Sequence, residues 1–175
     1  MARRVSVDEL SEWAKQHVGD DDDAVWEFLS RLYLGPPDDE FLGYWCTPLN
    51  VDVFSYTDLD GVHFGTFEAI DGESPVVLIS PASSNRPCVI VGQSLHDFLC
   101  LGCEYGFGDL TALPYEPQEV CEKYSRHHPP HPADTIAGSL RIHFGLTPWE
   151  NVGQRLFDLQ EMYLDELDMP DRDST

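Results

Sequence analysis

The hydrophobic period of this chain changes twice, and that change constrains the fold more than any other feature. From Val51 to Val91 apolar residues alternate or run in short blocks between turn signals. On either side they recur every three or four residues. Period two is the mark of strands and a 3.6 period that of helices. Val51, Val53 and Ser55 alternate with Asp52, Phe54 and Tyr56, and Thr57-Asp58-Leu59-Asp60-Gly61 reads as a hairpin turn. Val62 to Glu68 is the expected return strand, and Asp71-Gly72-Glu73-Ser74-Pro75 the next turn. Val76 to Ser80 is apolar until its end, which predicts a central third strand. Cys88 to Val91 is a fourth. The connections are too short for right-handed crossovers, so the strands form an antiparallel meander. The fold class is α+β: about four strands packed against N-terminal and C-terminal helices.

The helices carry their own start and stop signals. Ser6 and Glu9 make a capping box for a first helix over Val7 to Val18, with Leu10, Trp13, Ala14 and His17 on one face. A second helix is expected from Asp23 to Leu34, ended by Gly35-Pro36-Pro37. Ser94, with Asp97 three residues on, caps a helix whose inner face is Leu95, Phe98, Leu99 and Gly102. Tyr105 to Ser125 reads as short helical turns, and residues 127–132 as a stiff, proline-rich linker. Asp134 is the expected cap of the next helix, with Ile136, Leu140, His143 and Phe144 inward and Gly145 as C-cap. Thr147, Pro148 and Glu150 then predict the start of the last helix, with Trp149, Val152, Leu156, Leu159 and Tyr163 as its stripe. Residues 1–168 are expected to form a single domain, and residues 169–175 a disordered acidic tail.

Composition enters through charge. The chain has 175 residues, with 32 acids against 10 Lys and Arg, a formal net charge of -22. Eleven per cent of the residues are aromatic, which a disordered acidic chain would lack. Phosphates and anionic lipid would be repelled, so neither nucleic acid nor membrane is an expected partner. The acids are spread along the chain, and Arg86 is the only Lys or Arg between residues 51 and 100. No run of about 18 apolar residues occurs. The basic start, Arg3-Arg4, is followed at once by polar and acidic residues instead of an apolar signal-peptide core. Five cysteines, an odd number, suit reduced thiols, so a cytoplasmic location is expected.

No catalytic motif stands out. Cys100-Leu-Gly-Cys103 has the spacing of a zinc or redox pair, and His127, His128 and His131 offer further ligands. Yet Cys100 falls inside a predicted helix, away from the tight knuckle or helix N-terminus such sites use. Buried structural cysteines are the expectation. His63, in mid-strand, reads as a satisfied sheet histidine. There is no Gly-x-Ser-x-Gly elbow, and Gly106-Phe107-Gly108 follows a helix instead of preceding one. No catalytic residue, metal ligand or cofactor is therefore assigned. Three classes of function stay open: a protein-binding module, a small hydrolase or metal-dependent enzyme using His63, Cys100, Cys103 or the 127–131 histidines, and a regulatory scaffold without a tight basic partner.

The order of motifs in the middle of the chain resembles a known family. Tyr44-Trp45-Cys46-Thr47-Pro48-Leu49-Asn50 leads into a strand, and Asp60-Gly61-Val62-His63-Phe64-Gly65 opens the next. Pro75-Val76-Val77 begins a third, and Val91-Gly92-Gln93-Ser94-Leu95-His96-Asp97-Phe98-Leu99 enters a helix. This resembles the SUKH superfamily, the fold of a yeast cell-wall-synthesis regulator and of many bacterial immunity proteins, over roughly residues 44–105. The resemblance implies a non-catalytic module that binds and neutralises a partner protein. In immunity members the partner is a toxin, often a basic nuclease whose substrate an acidic surface imitates. Its expected contact residues here are Asp38, Asp39, Glu40, Tyr44, Trp45, Asp58 and Asp60, because Trp and Tyr anchor interfaces and acids steer a basic partner. Tyr56 is a further candidate anchor.

Overall fold

The computed structural model describes residues 4–37, 43–126 and 130–171. Its sheet is the expected meander, in the order β1-β2-β3-β4, with every pair antiparallel. The strands are β1 Asp52–Tyr56, β2 His63–Thr66, β3 Val76–Ile79 and β4 Cys88–Gly92. β3 is buried along its whole length, which accounts for its unbroken apolar run.

Both faces of the sheet are covered. On one face Phe54, Phe64, Leu78, Val89 and Val91 join the larger core. There they meet helices α1 (Val7–Val18), α2 (Asp22–Ser30), α3 (Leu95–Gly102) and α5 (Ile136–Phe144). Phe98 of α3 is the hub, with ring centroids 4.9 Å from Phe64 and 4.9 Å from Phe107. On the other face Val77, Ile79, Cys88 and Ile90 pack against Leu159 and Tyr163 of α6 (Val152–Tyr163) and against Leu167. Between α3 and α5 lie a 3-10 turn over Gly108–Ala112 and α4 (Pro117–Tyr124), matching the short turns expected there.

The first helix has its expected bounds, and Ser6 and Glu9 make both capping-box bonds. Four local expectations are corrected. α2 ends at Ser30 and not at Leu34. Leu34 N–H turns back to the Leu29 carbonyl at 3.0 Å, and Tyr33 takes the left-handed conformation with φ 60°. That is a helix stop usually made with glycine, so the sequence hides it. Thr135, not Asp134, caps α5, accepting from Gly138 N–H. His143 of that helix is exposed instead of inward. The last helix starts at Val152, five residues after Thr147. Trp149 Nε1 donates to the Asp97 carbonyl at 3.0 Å, and Arg155 lies over its ring at 4.7 Å. These tertiary contacts hold residues 147–151 out of the helix that the local capping signal favours.

α6 also closes one edge of the sheet. The Gln160 side-chain amide bonds both backbone groups of Ile90, receiving its N–H at 2.8 Å and donating to its carbonyl at 2.8 Å. It stands where a fifth strand would pair. None of the helices among the described residues is long and apolar enough to cross a membrane.

Candidate interaction face

Near the β1 edge α6 no longer covers the sheet, and the segment from Gly43 to Val51 takes its place. Val51 lies across β2 at Gly65, where an added methyl would come within 2.3 Å of Val51 Cγ1. The segment is tied down at its far end. Leu49 N–H donates to the Asp168 carbonyl at 2.7 Å. Asn50 donates to the Glu166 carbonyl at 3.0 Å and accepts from Asp168 N–H at 2.9 Å. Tyr44 and Trp45 are therefore presented from a braced strap.

His63 organises the near end. It is fully buried, and Nδ1 lies 2.8 Å from the Gly61 carbonyl. A carbonyl only accepts, so Nδ1 carries the hydrogen and Nε2 is the acceptor in the neutral ring. Nε2 is 3.0 Å from Thr47 Oγ1, which must donate to it. The same Thr47 oxygen accepts from Tyr44 N–H at 2.8 Å. With a neutral His63 every bond of the chain Gly61–His63–Thr47–Tyr44 has one donor and one acceptor. Burial lowers the His63 pKa below its ordinary value, against a smaller opposing effect of the Gly61 hydrogen bond.

Tyr44 lies over this network. Its ring stacks on His63 with centroids 5.7 Å apart, and its hydroxyl is 3.0 Å from that of Tyr56 on β1. It is still 39% exposed. Trp45, 40% exposed, donates from Nε1 to the Pro81 carbonyl at 3.3 Å. The hairpin tip stands beside them. Thr57 N–H and Oγ1 both donate to the Val62 carbonyl, and Asp58, Asp60 and Gly61 all have positive φ. Asp tolerates that conformation because its short polar side chain suits it. Asp58, Leu59 and Asp60 consequently point to solvent. Next to the tip a cleft of 630 Å³ opens between Leu59, Tyr33, Tyr105 and Asp109.

Of the residues expected from sequence, Tyr44, Trp45, Asp58 and Asp60 are all exposed on this part of the surface. Tyr44 and Tyr56 meet directly. Asp38, Asp39 and Glu40 lie outside the described residues. Thr47 was missed. Its only sequence signal is a hydroxyl three residues after Tyr44, the spacing of a side-chain-to-backbone turn.

The other candidate chemistry is dispersed. All five cysteines are free thiols. Burial pushes Cys46 up to about 11, and Cys88 and Cys103 up to about 12, so they stay protonated at neutral pH. Cys100 is buried within α3 and its thiol is likewise raised by burial. No group of three or more His, Cys, Asp or Glu able to hold a metal ion occurs among the described residues. His127 and His128 lie outside them. What the face offers is rigid aromatic surface beside carboxylates, the makings of a protein-contact site. Compared with protein-family models, with curated proteins and with solved structures, the chain matches none.

Proposed function

We propose that this chain is a non-catalytic protein-binding module that engages a basic protein through the face formed by Tyr44, Trp45, Tyr56, Asp58 and Asp60. The SUKH resemblance makes that partner a toxin domain of the nuclease type, neutralised in the cytoplasm. One observation carries the reading: two exposed aromatic rings are each tied by a hydrogen bond, Tyr44 to the Tyr56 hydroxyl and Trp45 to the Pro81 carbonyl, beside outward carboxylates. Rings already ordered lose little entropy on binding. The net charge of -22 supplies the steering field that a basic partner would feel.

The test is co-purification with the product of the adjacent gene. Trp45→Ala and Tyr44→Ala should each weaken that complex by about tenfold or more while the protein stays folded. Full retention of the complex in both variants would refute the assignment of this face. Absence of any complex at low salt would refute the partner.

A further inference from the structure

A second site lies between the end of α4, the end of α5 and the turn before α6. It is a cavity of 480 Å³, within the size range of small-molecule pockets. Arg126 and Arg141 both line it. Among the described residues Lys15, Lys123 and Arg155 each pair with a carboxylate. Neither Arg126 nor Arg141 forms an ion pair among the described residues. The Nε of Arg141 is moreover buried with no hydrogen-bond partner. A buried guanidinium N–H without an acceptor is costly, and its persistence calls for a group that completes it.

Glu104 and Glu150 line the same cavity, yet neither forms an ion pair with either arginine. Trp149 also lines it, fixed through its bond to Asp97 and the Arg155 stack. Two cations and two anions thus line one cavity without forming an ion pair among the described residues. Asn151, the N-cap of α6, also lines it and makes no side-chain capping bond, so the start of that helix adds positive potential.

We propose that this cavity binds a small molecule through a single oxyanion, carboxylate or phosphate, received by Arg126 and Arg141. Guanidinium forks match such oxygens geometrically. Glu104 and Glu150 exclude polyanions, so nucleic acid is not the ligand. The proposal stands whether or not a protein binds at the hairpin face.

The test follows the Arg141 Nε–Hε resonance by NMR while sodium phosphate or sodium acetate is added at constant ionic strength, with chloride as the balancing salt. The resonance should shift and saturate with at least one of them. Saturation by phosphate alone assigns a phosphomonoester ligand, and saturation by acetate a carboxylate. Arg126→Gln, where the arginine is exposed and its side chain makes no bond among the described residues, should keep the thermal midpoint and weaken binding about tenfold. A shift that rises without saturating, as for an adventitious ion, overturns the proposal. So does saturation unchanged in Arg126→Gln.

Discussion

His63 shows how a single buried side chain can set the state of a surface. The neutral ring satisfies its hydrogen-bond chain to Tyr44, and burial holds its pKa below the ordinary value. The unfolded chain then binds a proton, near pH 6.5, that the folded chain resists. Stability from this group is present above about pH 6.5 and is lost as pH falls from there through the lowered folded value. Chemical denaturation from pH 7 downward should show a steeper loss in the natural chain than in His63→Gln, whose amide offers a donor and an acceptor but does not titrate. Parallel pH profiles would contradict the assignment. Gly61 is the second decisive residue. It has φ 75°, and an added methyl would lie 2.8 Å from Tyr44 Cζ. Gly61→Ala should cost about 1–2 kcal/mol through the left-handed backbone alone, read as a lower denaturation midpoint. It should also displace Tyr44, visible as a change in its fluorescence or ring resonances. Sequence made Gly61 legible as a turn glycine but not as the floor beneath an aromatic ring, because that contact joins residues 17 apart through the strap.

At the scale of elements, strands and helices were legible wherever a local period agreed with the packing. β3 reads as central because both of its faces are buried. α1 reads correctly because its capping box and apolar stripe point the same way. The reading failed where a distant contact outweighed a local signal. Thr147 and Glu150 spell a capping box, but Trp149 is held by Asp97 and Arg155, and the helix waits until Val152. Tyr33 stops α2 without the glycine that would have announced it. Gln160 was invisible for the same reason, since its role is defined by Ile90, 70 residues away. Ile90 is fully buried. Gln160→Ala strands its N–H and carbonyl, at about 1–3 kcal/mol for a buried unsatisfied group. The variant should unfold at lower temperature, and sedimentation should show concentration-dependent association through the bared β4 edge. A variant as stable and as monodisperse as the natural chain would refute the capping role. The candidate site was half legible by the same logic. Exposed acids and aromatics can be nominated from composition and turn signals, whereas the hydrogen bonds that hold them cannot.

The whole molecule combines a sheet covered on both faces, a braced aromatic strap and a surface charge spread over the chain. Spread charge steers at long range, and a few fixed rings hold at short range. The two contributions respond to different perturbations. Salt should weaken encounter with a basic partner, since exposed charges are screened beyond about 8 Å at physiological ionic strength. Removing a ring should speed dissociation at any salt. Asp58→Asn with Asp60→Asn isolates the local part of the charge without touching the His63 network. The most direct measurement is therefore the dissociation constant for the adjacent gene's product, by calorimetry at low and at physiological salt, for the natural chain and for this double variant. The account predicts binding that weakens as salt rises, with a smaller salt dependence in the double variant. Salt-independent binding, or the same salt dependence in both proteins, would contradict it.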